Sequence, residues 1–517
     1  MTPARRCGIA LAFALGAGAG AARADEAAFY DRAFDATMAR YHLPGLAVGV
    51  IEDGKVVYQR TAGETVAGSG HAVTPRTLFK IASNSKAMTA AALARLVEAG
   101  RLAWDDPVVK YLPSFRMHDA WVGRHMQVRD LLIHNSGLPQ GAGDLMLWPE
   151  PNAFTRADII GGLAYLKPQY GFRAGYAYDN LLYVVAGEVA AAAGGASYEA
   201  IVRREVFAPL GLGCRVGEWR RGDADDVAQP HMRRDGRNVV LNGDGEVVPA
   251  ITSAAAGGIR CSLDDMLAWA RNWLVPDAAQ KRWLSDAQRR AMWTAYTPMP
   301  VSALRRTRDR THFLAYGFGF RLADVEGEWS VSHTGTLSGM YSMMSLLPDR
   351  RSGFVLMTNG DGSAARGVLG EMLLKHLIAP QRDIRFEALA DEQARAATAR
   401  PAAHRMPDTS ARVAATPASM RERLGVWRDP WFGRVRLCAQ GDGVRFAAEK
   451  SPRMTGVVMR VDRRALVHWD DPGVDPEAWL DFPDARSMRM AKVDPDGDFS
   501  SDYEHLAFTR EGACDGA

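Results

Sequence analysis

The sequence predicts an α/β (α+β) fold: an antiparallel sheet flanked by helices and split by a helical insertion, then a small C-terminal antiparallel β-barrel. Three observations predict it. Strand-like runs stand at both ends of the first 378 residues, at 46–51 and 56–60 and again between 316 and 358. A long, mostly helical stretch separates them, roughly 105–274. Beyond about residue 424, short segments alternate apolar and charged side chains, as Val435 and Leu437 do with Arg434 and Arg436. Period-two alternation punctuated by Gly, Asp and Pro is the signature of half-buried antiparallel strands. Strands separated by a helical stretch suggest one sheet closed around an insertion.

The elements follow in order. Residues 27–41 carry Tyr30, Phe34 and Met38 at helical spacing, and Leu43-Pro44-Gly45 ends that helix. Glu52-Asp53-Gly54 joins the first two strands as a hairpin turn. An alanine-rich helix, 87–99, comes next. After the insertion, strands are expected at 316–322, 329–332, 340–347 and 353–358, and a closing helix at 366–377. Residues 379–420 are rich in Ala, Arg and Pro, with little periodicity past Leu389, and read as a linker. The expected organisation is a leader at 1–24, a catalytic domain at 25–378, the linker, and a β domain at 421–517.

The leader is read from Arg5-Arg6, the apolar run 9–15 and the small-residue site Ala22-Arg23-Ala24. The mature chain is then expected to start at Asp25, exported to the periplasm or beyond, with no stable membrane insertion. A hydrophobic content of 47% and a charged content of 24% describe a globular protein. A net charge of +3 without a basic run points away from nucleic acid. Past the leader, Cys214, Cys261, Cys438 and Cys514 allow three full pairings, and export permits them. Pairing 214 with 261 and 438 with 514 keeps each bridge within one domain; four free thiols is the alternative. No Cys/His cluster has zinc spacing. Asp494, Asp496 and Asp498 fail as a calcium loop, because Phe499 stands where the loop glycine is needed and His505 where the bidentate Glu belongs.

The chemistry lies in three short motifs. Ser83-Asn84-Ser85-Lys86 puts a hydroxyl and an amine three residues apart, on one helix face. A serine is a weak nucleophile until a base takes its proton. A lysine serves as that base only where burial or positive charge lowers its pKa. Tyr178-Asp179-Asn180 offers a phenol and an amide on alternate positions. His333-Thr334-Gly335 lies on an expected strand, its glycine allowing close backbone approach. His134 reads as a structural turn histidine, and no Gly-x-Ser-x-Gly elbow marks a rival triad.

Taken in this order, the motifs resemble the serine β-lactamase and penicillin-binding-protein superfamily, in its class C-like branch of β-lactamases, D-aminopeptidases, DD-carboxypeptidases and esterases. The resemblance spans about residues 27–378 and is supported by the run Leu131-Leu132-Ile133-His134-Asn135-Ser136-Gly137-Leu138-Pro139, by Ala256-Gly257-Gly258 and by Asn359-Gly360. It implies that Ser83 is acylated, that Lys86 and Tyr178 share the proton work, and that Asn180, His333, Thr334 and Gly335 bind substrate. It also implies an oxyanion hole made by the N–H groups of Ser83 and Thr336. Which of Lys86 and Tyr178 is the base stays open. His333 stands where the β-lactamase version has lysine; as a mostly neutral group it implies weak carboxylate recognition and poor β-lactam hydrolysis. The C-terminal part resembles the lipocalin-like β domain of some such hydrolases, through Asp498-Phe499, Asp502-Tyr503 and Leu506-Ala507-Phe508.

The expected function is thus an exported serine acyl hydrolase acting on a small-molecule or peptide substrate, a D-amino-acid-type peptide or small ester, without metal or cofactor. A β-lactamase or penicillin-binding DD-carboxypeptidase is the alternative within the superfamily. A non-catalytic ligand-binding or sensor protein is the alternative outside catalysis.

Overall fold

The computed structural model describes residues 12–223, 226–399 and 404–514. The expected leader falls partly on residues 1–11, outside the described residues, and partly on the first turns of helix α1 (Ala12–Tyr41).

An eight-stranded antiparallel sheet forms the frame. Its strands are β1 (Gly45–Glu52), β2 (Lys55–Gly63), β3 (Thr297–Pro298), β4 (Leu314–Tyr316), β5 (Arg321–Val325), β6 (Glu328–Leu337), β7 (Met340–Leu347) and β8 (Ser352–Thr358). Their spatial order is β2-β1-β8-β7-β6-β5-β4-β3. The chain leaves the sheet after β2 and returns at β3, so the insertion is real. The hairpin turn between β1 and β2 holds Asp53 and Gly54 at φ +46° and +77°, a turn that suits Asp-Gly.

Strand β1 is buried on both faces, which explains its unbroken apolar run. One face is covered by α1 and by α5 (Ser363–Ile378), through a cluster that includes Tyr30, Phe34, Leu369, Met372 and Leu373. The other is covered by α4 (Leu263–Leu274), whose Leu267 fills the space a side chain at Gly49 would need. Within the insertion the two central helices, α2 (Ser85–Glu98) and α3 (Leu181–Gly194), pack against each other, and Gly187 on α3 leaves room for Ala255 and Tyr198.

Three expectations are revised. The run expected as one strand at 316–322 is a hairpin, β4 and β5, turned by Gly317 to Phe320 with Gly319 at φ +76°. The insertion is less helical than expected. It holds many short helices and three two-stranded ribbons, Phe79–Lys80 with Arg260–Cys261, Trp219–Arg220 with Val247–Val248, and His231–Arg234 with Arg237–Val240. Residues 379–420 contain α6 (Phe386–Thr398), which buries Phe386 and Ala390 in the α1–α5 cluster, and a short strand, Val413–Ala414, that pairs with the C-terminal sheet.

The C-terminal part is a closed antiparallel barrel of eight strands, each paired with its sequence neighbours. The last, Ala507–Gly512, pairs back onto the first, Gly425–Asp429. Full closure leaves no barrel edge unpaired. The barrel docks on the insertion. Phe432 meets Phe154 at 5.6 Å, Lys450 pairs with Asp158 at 2.7 Å, and the Ala153 N–H donates to the Lys450 carbonyl at 2.7 Å. Cys214–Cys261 and Cys438–Cys514 are both bridged, so each part carries its own disulfide.

Candidate active site

Ser83 sits in a tight turn between the Phe79–Lys80 strand and α2. The turn residue before it, Ala82, is a buried non-glycine at φ +48°. Such a conformation stores about 1–3 kcal/mol and persists only where neighbours enforce it. Here they do: the Ser342 hydroxyl donates to the Ile81 carbonyl at 2.7 Å, and the Asn84 amide donates to the Ser342 hydroxyl at 2.8 Å. The Ile259 N–H donates to the Ser85 hydroxyl at 3.2 Å. The turn is thus stitched to β7 on one side and the insertion on the other, and Ser83 is left half-buried at the cleft floor.

Lys86 lies in the first turn of α2 and is wholly buried. Its Nζ is 3.1 Å from Ser83 Oγ, 2.7 Å from Asn180 Oδ1 and 2.8 Å from the Ala256 carbonyl oxygen. Burial pushes its pKa down from 10.5 to about 7; Asp144 opposes that shift and Arg321 adds to it. A neutral amine has two N–H bonds and one lone pair. Asn180 and Ala256 accept the two hydrogens, which turns the lone pair toward Ser83 Oγ.

Tyr178 and Asn180 come from the segment leading into α3. His134, at φ +56°, shapes that segment: its Nδ1 accepts the Asp179 N–H at 3.1 Å and its carbonyl accepts the Ala177 N–H at 3.0 Å. The structural reading of His134 fits this geometry. Burial drives the Tyr178 phenol well above its usual pKa, against smaller opposing effects of Arg321 and of a hydrogen bond with Ser83. Tyr178 therefore keeps its proton at neutral pH, while Lys86 gives its proton up near pH 7. Asn180 lines the cleft with both ends of its amide engaged, its oxygen on Lys86 and its nitrogen donating to Asp144 Oδ2 at 2.7 Å.

The third motif lies on β6, and its residues divide. Thr334 and Thr336 line the cleft. His333 does not. It is buried behind the wall, accepting from the Tyr316 hydroxyl at 2.8 Å and donating through Nδ1 to the Thr334 carbonyl at 2.7 Å. Burial first, then Arg321 and Lys86, hold its pKa well below the usual value, so it is neutral. Gly335 is also needed by the fold itself. A side chain there would collide with the Ile81 carbonyl and the Ser342 hydroxyl, so the glycine admits the turn that holds Ser83. Arg366 ties the same strand end by donating to the Gly335 carbonyl at 2.5 Å and to Thr336 Oγ1 at 2.8 Å.

The cleft, about 530 Å³, brings together Ser83, Tyr178, Asn180, Thr334 and Thr336. Around these stand residues that the sequence did not single out for this site. Arg321, on β5, donates to Thr334 Oγ1 at 3.0 Å, and no carboxylate pairs with it among the described residues. Asp144 is buried behind Asn180. The barrel supplies one wall through Asp498, Phe499, Ser500 and Ser501, with the Phe499 ring edge-on to Tyr178 at 5.9 Å. The side chain of Asp498 caps its own turn by accepting the Ser500 N–H at 2.9 Å.

Residues 30–377 match the Beta-lactamase family. Among curated relatives, the unguisins hydrolase ungD' of Aspergillus campestris is 26% identical over 67% of this chain and 64% of its own length, a little under two thirds. Penicillin-binding protein 4 of Amycolatopsis lactamdurans is 26% identical over 67% of this chain and 90% of its own. The D-alanyl-D-alanine-carboxypeptidase/endopeptidase AmpH of Escherichia coli K12 is 26% identical over 61% and 79%. An octameric penicillin-binding protein homologue from Pyrococcus abyssi shares the fold over 93% of this chain and 99% of its own, with a TM-score of 0.57 at 20% identity. The chain belongs to the Beta-lactamase family, within the serine β-lactamase and penicillin-binding-protein superfamily, and is a serine hydrolase.

Proposed function

We propose that this chain is an exported acyl hydrolase that cleaves an amide or ester of a D-amino-acid-type peptide or small ester through a Ser83 acyl-enzyme. The observation that carries the proposal is the Lys86 amine, buried, held by two acceptors and 3.1 Å from Ser83 Oγ. In this reading neutral Lys86 takes the Ser83 proton as Oγ attacks the substrate carbonyl. The ammonium that forms stays bonded to Asn180 and Ala256. The N–H groups of Ser83 and Thr336 receive the oxyanion; one such donor is worth about 100- to 1000-fold in turnover. Tyr178, protonated and beside both Ser83 and Lys86, gives its proton to the leaving group and regains one from the Lys86 ammonium, which leaves both groups neutral. Water then repeats the sequence on the acyl-enzyme.

Arg321 changes the expectation on carboxylates. His333 is neutral and turned away from the cleft, yet a guanidinium stands beside Thr334 at the same end. A leaving group that ends in a carboxylate is therefore favoured over a neutral one, which brings the DD-carboxypeptidase reading level with the small-ester reading. Arg321→Ala is expected to lower kcat/KM for a D-aminoacyl substrate with a free carboxylate by about 30-fold, the size of a charge-assisted hydrogen bond. The same peptide ending in an amide is expected to change little. Equal losses on both would remove carboxylate binding from Arg321.

Intact-mass analysis after a fluorophosphonate or penicillin probe tests the acyl-enzyme itself. One adduct on the wild-type chain and none on Ser83→Ala is expected. An adduct that survives Ser83→Ala overturns the role of Ser83, and no adduct with either probe favours a binding or sensor protein. A panel of D-aminoacyl amides, p-nitrophenyl esters and nitrocefin then sorts the substrate.

A further inference from the structure

We propose that Asp144, held from the C-terminal barrel by Ser500, is a positioning residue that fixes the Asn180 amide with its oxygen toward Lys86. The barrel is then a working part of the acylation machinery. The proposal rests on the Ser83 acyl-enzyme reading given above.

The two ends of an asparagine amide are nearly the same size, so its partners decide which way it faces. Asn180 Nδ2 donates to Asp144 Oδ2 at 2.7 Å, and Asn180 Oδ1 accepts from Lys86 at 2.7 Å. Reversing the amide would put an N–H donor against the Lys86 donor. Asp144 prevents this, because Oδ2 offers Asn180 an acceptor. Asp144 is wholly buried, and no cation pairs with it directly among the described residues. Its other Oδ2 partner is the Ser500 hydroxyl, at 2.7 Å, which reaches in from the barrel. A second barrel contact holds the backbone beside it, where the Gly143 N–H donates to Asp502 Oδ2 at 2.5 Å. On the opposite side the Gly141 N–H donates to the Tyr178 carbonyl at 2.8 Å. The segment 141–144 thus joins the barrel to Tyr178 and Asn180 at once.

The charge around the two groups is bounded. Lys86 feels the charges of Asp144, Asp179 and Arg321, has His134 and His333 near it, and lies against the rings of Tyr178 and Tyr183. Asp144 faces Asp179, Asp502 and Lys86. If Asn180 turns round, a donor replaces an acceptor on Lys86, and its ammonium form is disfavoured further.

The test uses the full chain and a fluorophosphonate, reading the rate of Ser83 labelling from pH 5 to 9, with thermal melts to confirm folding. Asp144→Asn is expected to slow labelling by about 10-fold and to move the midpoint of the acid limb to lower pH. Ser500→Ala, which removes one oxygen from a loop, is expected to slow it by about 3-fold in the same direction and carries the test if Asp144→Asn does not fold. Adding Asn180→Asp to Asp144→Asn returns an oxygen to Lys86, so the midpoint is expected to move back up, to or above the wild-type value. Variants that match the wild type in rate and midpoint overturn the proposal, as do slowed variants with an unmoved midpoint, which mark a merely structural role. A wild-type chain that labels while the variants behave like it removes this proposal alone. A wild-type chain that fails to label at Ser83 removes the acyl-enzyme reading and this proposal with it.

Discussion

Lys86→Met is expected to lower kcat/KM by about 1000-fold and, at the same time, to raise the melting temperature. The loss follows from removing the proposed base: general acid–base groups are worth about 100- to 10,000-fold. The gain follows from the depressed pKa. The folded chain releases the Lys86 proton at about 7, whereas an unburied lysine holds it to 10.5. Between those values the unfolded chain binds the extra proton, so stability rises with pH across that window. Below about pH 7 the burial penalty is present in full. Each pKa unit corresponds to about 1.4 kcal/mol, so the penalty at neutral pH is a few kcal/mol. Methionine fills a similar volume without a charge to bury, so the variant is expected to melt a few degrees higher, and its stability to vary less between pH 7 and 10. The wild-type kcat/KM is expected to rise through about pH 7 and then level off. Melting curves and pH–rate profiles on both proteins check this. A variant that melts lower at pH 7 would show that the two accepted hydrogen bonds outweigh the burial of charge.

Gly335→Ala is expected to lower kcat by about 100-fold through its effect on the turn that holds Ser83. The added methyl would overlap the Ile81 carbonyl and the Ser342 hydroxyl and lie 3.0 Å from the Ala82 side chain. Two of these groups belong to the turn that holds Ala82 in its left-handed conformation, and the third stitches that turn to β7. Relief of the overlap pushes Ser83 away from Lys86, and a shift of about 1 Å at a reacting atom is worth roughly 100-fold. Gly161→Ala is the control, since a side chain there meets open space and the site is helical. It is expected to keep full activity. Ser83 labelling rates and kcat for the two variants separate the effects, and a fully active Gly335→Ala would show that the turn tolerates displacement.

The sequence carried the parts of this site that are local. Ser83 and Lys86 share one helical turn, so their spacing alone predicted contact, and 3.1 Å separates them. Tyr178 and Asn180 followed from a short segment next to turn residues. Arg321 was not legible, and the reason lies in the strand containing it. Residues 316–322 read as one strand because apolar positions recur across Gly317 and Gly319. The positive φ of Gly319 makes a hairpin instead and starts a new strand at Arg321, opposite Ser332 on β6. Two glycines two residues apart were the available sign. Residues 379–420 were misread for a related reason: α6 has one apolar stripe, with Phe386 and Ala390 buried, inside an otherwise mostly exposed, Ala-rich helix. Asp144 and Ser500 had no sequence signal, because only the docking of the barrel brings them together.

That docking has a consequence for synthesis of the chain. Asp144 and Ser500 lie 356 residues apart, and the barrel closes only when its last strand, Ala507–Gly512, pairs with its first. Ser83 and Lys86 are made long before the wall that Phe499 and Ser500 provide. A nascent or prematurely terminated chain has a nucleophile without a finished cleft. Under the proposed mechanism, hydrolytic competence is therefore expected to await synthesis of the barrel.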